Sequence, residues 1–237
     1  MKTRSIGYDS DIVVIVPTND MGKQDVLRLT SDMRQQGADL IIIEDVYPLF
    51  NFSHSMNVGI NAALGRKSTK YIVAANDDVR VSCLQLMRKV LDERPEFGYV
   101  TPYVNGYDCY WPMKFTRIVG RAIKNKAPFW FLREIRNERF ATKLAGGKFL
   151  NTQPFAMFRA EVLRKFSFDE NFDMGLEDMQ LGLRLRQNGI IGFTNPMLNI
   201  THKGHATMNI LYPIGNAPSK RNREMRNTAY LYKKYSK

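Results

Sequence analysis

Cysteine is scarce in this chain: Cys83 and Cys109 are the two in 237 residues. Their spacing fits no metal site, and two are too few for a disulfide framework, so a reducing compartment is expected. No apolar run approaches the roughly 20 residues that a membrane-spanning helix needs, so a soluble protein is expected. The opening Met1-Lys2-Thr3-Arg4 is followed by Gly7, Tyr8 and Asp9 and has no apolar stretch with a cleavage site. A secretory signal is therefore not read, and cytoplasmic residence is expected. Low-complexity tracts, linkers and long internal repeats are also missing, and 44% of the residues are hydrophobic. One domain of generous size accounts for that length and composition.

Acidic residues are in the minority. The formal charge is +12 and the isoelectric point near 9.7, a field that attracts nucleic acid, acidic membrane or phosphorylated small molecules. Between Lys114 and Lys148 ten basic residues face only Glu134 and Glu138. Between Ser219 and Lys237 seven basic residues face only Glu224. The rest of the chain is close to neutral, so a basic zone is added to a balanced domain.

What is present in quantity is alternation. Ile12 to Val16 is a β-branched run that Pro17 is expected to stop, the pattern of a strand buried on both faces. Pro17-Thr18-Asn19-Asp20 then turns the chain, and a helix from Lys23 to Gln36, with Val26, Leu27 and Met33 at helical spacing, leads to a strand at Leu40-Ile41-Ile42-Ile43. A second helix is expected from about Ser55 to Leu64, closed by Gly65, before a strand at Tyr71 to Ala75. Ser82 and Gln85 have the form of a capping box that opens a helix carrying Leu84, Met87 and Leu91, ended by Pro95. Gly98 to Thr101 reads as a further strand and Ala160 to Lys165 as a helix. Leu176, Met179 and Leu183, widened by Leu181 and Leu185, form a helix face stopped by Gly189, and Ile190 to Ile200 reads as one strand-like stretch. Alternation of this kind predicts an α/β fold with a mostly parallel sheet covered by helices, whose ligands bind beyond the carboxyl ends of the strands. Thr18, Asn19, Glu44, Asp45, Asn76, Asp77 and Asp78 lie there.

Asn76-Asp77-Asp78 can do two things. In extended chain residues 76 and 78 project to one side and could face one bound group, and hard carboxylate oxygens suit Mg²⁺ or Mn²⁺ with positions left for phosphate. Alternatively, the triplet only turns the chain and caps the next helix. Glu177 and Asp178 open a helix, where the dipole favours their ionised form, ready to take a proton from a hydroxyl; acidic residues also open many helices for that reason alone. His202 and His205, two of only three histidines, could complete a metal site that already holds a carboxylate, or be ordinary surface or core residues.

In this order the pieces resemble the GT-A glycosyltransferases, in particular the inverting family 2 group. Ile12 to Asn19 is similar to the family's first strand and nucleotide-contacting turn, and Glu44-Asp45 to the acidic end of the second strand. Phe50 to Gly59 is similar to its Asn-x-Gly segment under the donor, here Asn57-Val58-Gly59, and Asn76-Asp77-Asp78-Val79 to its DXD position in an Asn-x-Asp variant. Phe168-Asp169-Glu170 and Gly175 to Leu185 resemble the acidic pair and helix that carry the base, the most specific match. His202 aligns better than His205 with a histidine ligand. The resemblance covers most of the chain and is weakest between about 105 and 147. Asn76, in place of an acid, departs from the pattern and implies weaker metal dependence or a contact with the donor sugar.

The resemblance implies a hexosyltransferase-like enzyme, with a nucleoside diphosphate sugar as donor and Mn²⁺ or Mg²⁺ as cofactor. It implies attack by an acceptor hydroxyl with inversion, Asp178 or Glu177 as the base, and Asp78 and His202 at the metal. Pro17, Thr18, Asn19, Asp45, Asn57, Asn76 and Asp77 would contact the donor. It further implies one GT-A domain over residues 1–237, with 1–104 binding the nucleotide sugar and 105–237 binding the acceptor and carrying catalysis. The acceptor would be a glycan, a protein or a lipid-linked saccharide, and the basic segments could rest on an anionic membrane. The competing class is a basic nucleic-acid-binding protein without catalysis, argued from the charge and the aromatics among the basic residues. It leaves the ordered acidic motifs unexplained, so no nucleic-acid partner is expected. A nucleotidyltransferase would need a glycine- and lysine-rich loop after the first strand, where Pro17 to Gly22 holds one glycine.

Overall fold

The computed structural model describes residues 1–45, 50–111, 136, 139–152, 154–172, 175–203 and 217–235. Along the chain run β1 (Lys2–Ile6), β2 (Ile12–Thr18), α1 (Gln24–Gln35), β3 (Asp39–Glu44), α2 (Phe52–Leu64), β4 (Tyr71–Ala75), β5 (Val79–Val81) and α3 (Leu84–Glu93). They are followed by β6 (Phe97–Val100), β7 (Tyr103–Val104), β8 (Tyr110–Trp111), β9 (Phe149–Leu150), β10 (Phe155–Arg159) and α4 (Ala160–Lys165). Next come α5 (Glu177–Gln187), β11 (Ile191–Phe193), β12 (Asn199–His202) and α6 (Ala217–Tyr235).

Seven strands form the central sheet in the order β1-β3-β2-β4-β10-β6-β11. β2 pairs in parallel with β3 and β4, and β6 with β11; β1 and β10 run against their neighbours. Five of the seven strands thus point one way, and the expected mostly parallel sheet flanked by helices is what the chain forms. Every residue of β2 and of β4 is buried, and each large aliphatic side chain so covered contributes about 1.5–3 kcal/mol. A second apolar cluster joins Trp111, Phe149, Phe172, Met179, Leu183 and, from α6, Leu231.

Several local expectations are corrected. Pro17 does not stop β2 but lies inside it, opposite Ile43; pairing with β4 ends at Ile15, so the missing N–H falls where β2 has a neighbour on one side only. The buried face of α1 is Val26, Leu29 and Met33, while Leu27 is 52% exposed, because positions i, i+3 and i+7 share a stripe and i+1 does not. α2 begins at Phe52, three residues before Ser55, since the Asn51 side chain caps it by accepting from His54 N at 2.9 Å. Ser82 and Gln85 form no capping box. Gln36, at the end of α1, accepts from Leu84 N through Oε1 at 2.9 Å, and Gln85 Nε2 donates to the Gln36 carbonyl. Leu176 precedes α5 as its cap, one residue outside the helix, and still packs against the cluster that holds Met179 and Leu183. The stretch from Ile190 to Ile200 is two strands in different sheets, β11 in the central one and β12 in a three-stranded sheet ordered β5-β12-β7.

Candidate active site

Because β2, β3 and β4 are parallel, their carboxyl ends open on one edge, and Thr18, Asp45 and Asn76 to Asp78 meet there. Thr18 Oγ1 donates to Asp77 Oδ2 at 2.8 Å, and Lys23 Nζ makes an ion pair with the same oxygen at 2.9 Å. Asp45 N donates to the Thr18 carbonyl, and Asp45 Oδ2 accepts from Ser55 Oγ at 3.2 Å and Asn51 N at 3.3 Å. Asp77 therefore braces the turn after β2. Pro17 contributes backbone, and Asn19 presents a buried side-chain oxygen with no hydrogen-bond partner among the described residues.

Asp78 turns the other way. β5 starts at the next residue and pairs antiparallel with β12, placing His202 opposite Val79. His202 Nε2 lies 3.0 Å from Asp78 Oδ1 and 3.3 Å from Asn76 Nδ2. Asn76 Oδ1 is buried with no partner among the described residues. Two donor atoms each about 2.1 Å from one octahedral cation lie about 3 Å apart, so the Asp78–His202 spacing fits a shared ion, and the orphaned amide oxygen is a hard third donor. No cluster of three or more His, Cys, Asp or Glu side chains with ligand geometry occurs among the described residues. A carboxylate and an imidazole leave most of a cation's positions for other oxygens.

The acidic pair at 177–178 reaches the same edge through one short segment. Asn76 N donates to the Pro154 carbonyl at 2.8 Å, and Thr152 Oγ1 donates to the Asp178 carbonyl at 3.1 Å. Thr152 and Pro154 are two positions apart, at most about 7 Å. Asp178 is partly exposed and Glu177 is 8% exposed. The Asp178 carboxylate accepts from Asn151 Nδ2 at 2.8 Å and from Met179 N at 2.7 Å, which fixes its direction at the positive end of α5. Before it, Gly175 and Leu176 both have positive φ, +86° and +72°. Leu176 carries a strained left-handed backbone that its surroundings must hold. Asn227 Nδ2 on α6 donates to the Gly175 carbonyl at 2.9 Å, and Leu231 packs with Met179 and Leu183.

Asn57 is a clamp. Its Nδ2 donates to the Phe168 carbonyl and to Glu170 Oε1, both at 2.9 Å, and its Oδ1 accepts from Phe168 N at 2.9 Å. His54 Nδ1 lies 2.9 Å from Glu170 Oε2. The bond from Asn57 is the main reason the Glu170 carboxyl sits below the ordinary glutamate range; His54 adds to it, against an opposing push from partial burial. Two stretches read separately in the sequence, Phe50 to Gly59 and Phe168 to Glu170, are thus one side-chain network.

Lys23, Asn151, Asn227 and Asn105, whose bonds to His202 are described below, are not read as site residues from the sequence. Asn105-Gly106 is a recognisable turn pair; the others carry no local signal. His205 and most of the 114–148 basic stretch lie outside the described residues. Both cysteines are buried, and burial pushes the Cys83 thiol up to about 11. No helix among the described residues is long and apolar enough to cross a membrane.

No protein-family model and no curated protein matches the sequence. Solved structures do. Protein A197 from STIV aligns over 81% of this chain and 84% of its own at 10% identity, with a TM-score of 0.51. A Drosophila beta-1,4-galactosyltransferase 7 mutant, in complex with manganese, UDP-Gal and xylobiose, covers 81% of this chain and 70% of its own at 16% identity, TM-score 0.49. A mannosyltransferase from Pyrobaculum calidifontis, in complex with GDP-Man and Mn²⁺, covers 91% of this chain and 61% of its own at 16% identity, TM-score 0.47. The chain shares its fold with A197. At these identities the likeness is one of fold alone, and what the site does must come from its own residues.

Proposed function

We propose that this chain is a metal-assisted glycosyltransferase that moves a sugar from a nucleoside diphosphate sugar to an acceptor hydroxyl with inversion. The reading is carried by one observation: the Asp78–His202 pair, 3.0 Å apart beside Asn76, stands at the strand ends that Thr152 to Pro154 joins to Asp178. Asp78 and His202, with the Asn76 amide, would hold a Mn²⁺ or Mg²⁺ ion, which supplies a Lewis acid for the diphosphate oxygens. Asp178 takes the proton of the acceptor hydroxyl as the hydroxyl oxygen attacks the anomeric carbon on the face away from the diphosphate, and the bond from that carbon to the diphosphate oxygen breaks, releasing the nucleoside diphosphate. Partly exposed and aimed by Asn151, Asp178 suits that task better than the buried Glu177. Thr18 and Asn19, on the turn that Asp77 braces and Pro17 enters, and Asp45, just beyond β3, hold the base and ribose.

Residues 1–104 then supply the donor side, and 105–237 the base and the acceptor side. A glycan, a protein or a lipid-linked saccharide is the acceptor, and the basic segments meet an anionic membrane surface. Thermal melting against UDP, GDP, CDP and dTDP sugars, each with and without Mn²⁺, tests the reading. At a hundred times its Kd the matching donor adds about 2.7 kcal/mol, a rise of about 5–10 °C for a chain of this size. That rise should need the cation and disappear in Asp78→Ala. A panel in which no sugar nucleotide shifts the melt, while RNA does so in a salt-dependent way, rejects catalysis in favour of polyanion binding.

A further inference from the structure

We infer that Asn105 is the positioning residue for His202, and that its side chain, not its backbone, does this. The inference rests on the reading of His202 as a ligand of the cation. β7 pairs in parallel with β12 only through Tyr103–Asn199 and Val104–Ile200, so the regular ladder ends two residues short of the imidazole. Asn105 extends it. Its own N donates to the Ile200 carbonyl at 2.9 Å, its Nδ2 donates to the His202 carbonyl at 2.9 Å, and its Oδ1 accepts from His202 N at 3.0 Å. One amide side chain thereby satisfies both backbone groups of His202, as a partner strand would. From the other side β5 pairs His202 with Val79, next to Asp78. The imidazole is held between the two.

Few residues could do this. Asn105 and Gly106 have φ of +52° and +80°, and Val104 and Tyr107 bond to each other across them, which makes a two-residue hairpin with both central positions left-handed. Asparagine tolerates that backbone and carries both a donor and an acceptor at the right reach. Aspartate lacks the donor, glycine lacks the side chain, and alanine lacks both the amide and the tolerance for positive φ. Asn105 is exposed, so replacing it empties no core.

Asn105→Gly is the deciding variant, because it keeps the hairpin and removes only the amide. Two measurements are made, amide hydrogen exchange across 199–203 and affinity for Mn²⁺ alone by calorimetry, with His202→Ala as reference. We expect exchange at His202 to rise about tenfold, with β2 to β4 unchanged, and the Mn²⁺ Kd to weaken about tenfold, the scale typical of residues that orient a metal ligand. Asn105→Asp, which keeps the acceptor for His202 N, should fall between wild type and Asn105→Gly. Unchanged exchange in Asn105→Gly overturns the inference. So does a His202→Ala protein that loses the cation while Asn105→Gly keeps it. If His202→Ala binds Mn²⁺ as wild type does, the metal reading itself falls, and the inference with it.

Discussion

Residues 12–81 and residues 139–203 meet at one edge of the sheet but are held in place by different means. In the first stretch, long buried strands set the positions: β2 is paired on both sides from Val13 to Ile15, and the polar residues sit where the strands run out. In the second, the strands other than β10 are short and side chains bonded to backbone carry the geometry: Asn57 to Phe168, Thr152 to Asp178 and, from α6, Asn227 to Gly175. The side of the site that carries Asp178 is therefore the more easily disturbed. A backbone ladder keeps its bonds when a side chain changes; a single-amide clamp loses its whole function.

The largest effect expected from that contrast is chemical. Asp178→Asn keeps the shape of the α5 entry and removes the proposed proton acceptor, so kcat should fall by about 10²–10⁴ while the Mn²⁺-dependent donor shift stays. Glu177→Gln should do far less to the rate. Steady-state kinetics alongside melting curves separate the two, and a larger loss in Glu177→Gln would reverse the assignment of the base.

How much of this could be read beforehand divides along the same line. The apolar runs at Ile12, Leu40 and Tyr71 announce strands buried on both faces, and the polar residues after them follow from where such strands end. α4 falls where its sequence places it, at Ala160 to Lys165. What escaped were contacts whose signal is not periodic. β10 enters the sheet antiparallel between β4 and β6, and nothing in Phe155 to Arg159 states a direction. Lys2 to Ile6 forms an edge strand although it is mostly exposed and lacks an apolar face. Asn105 and Asn227 act on residues 97 and 52 positions away, a distance at which spacing carries no information.

Two glycines sharpen the comparison in stability. A Cβ on Gly182 of α5 would stand 2.3 Å from the Leu150 carbonyl oxygen, and one on Gly59 of α2 would stand 2.3 Å from Ile15 Cγ2. Alanine gains about 1 kcal/mol over glycine in a helix interior, against about 1–3 kcal/mol for overpacking. The Ile15 side chain can give way, and the β9 backbone beneath α5 cannot move without dragging Asn151 and its bond to Asp178. Gly182→Ala should thus cost about 2 kcal/mol net by urea denaturation and lower kcat as well. Gly59→Ala should cost under about 1 kcal/mol and spare the rate. Equal losses at the two sites would mean that both sides of the edge are equally rigid.

The smallest effect lies at the clamp between the two regions. Asn57 and His54 depress the Glu170 carboxyl, so its contribution to stability is present above the ordinary glutamate value of 4.5 and is lost as pH falls through the lower folded value. With side chains 48% exposed on both sides of the His54–Glu170 pair, screening keeps that contribution under about 1 kcal/mol. Glu170→Gln should accordingly flatten the decline in melting temperature from about pH 5 downward and change little at pH 7 or above, where the amide can still bond to Asn57. If the acid limb of the melting curve is the same in both proteins, the network from α2 to Phe168 is held by Asn57 and the backbone alone, and the charge on Glu170 adds nothing to it.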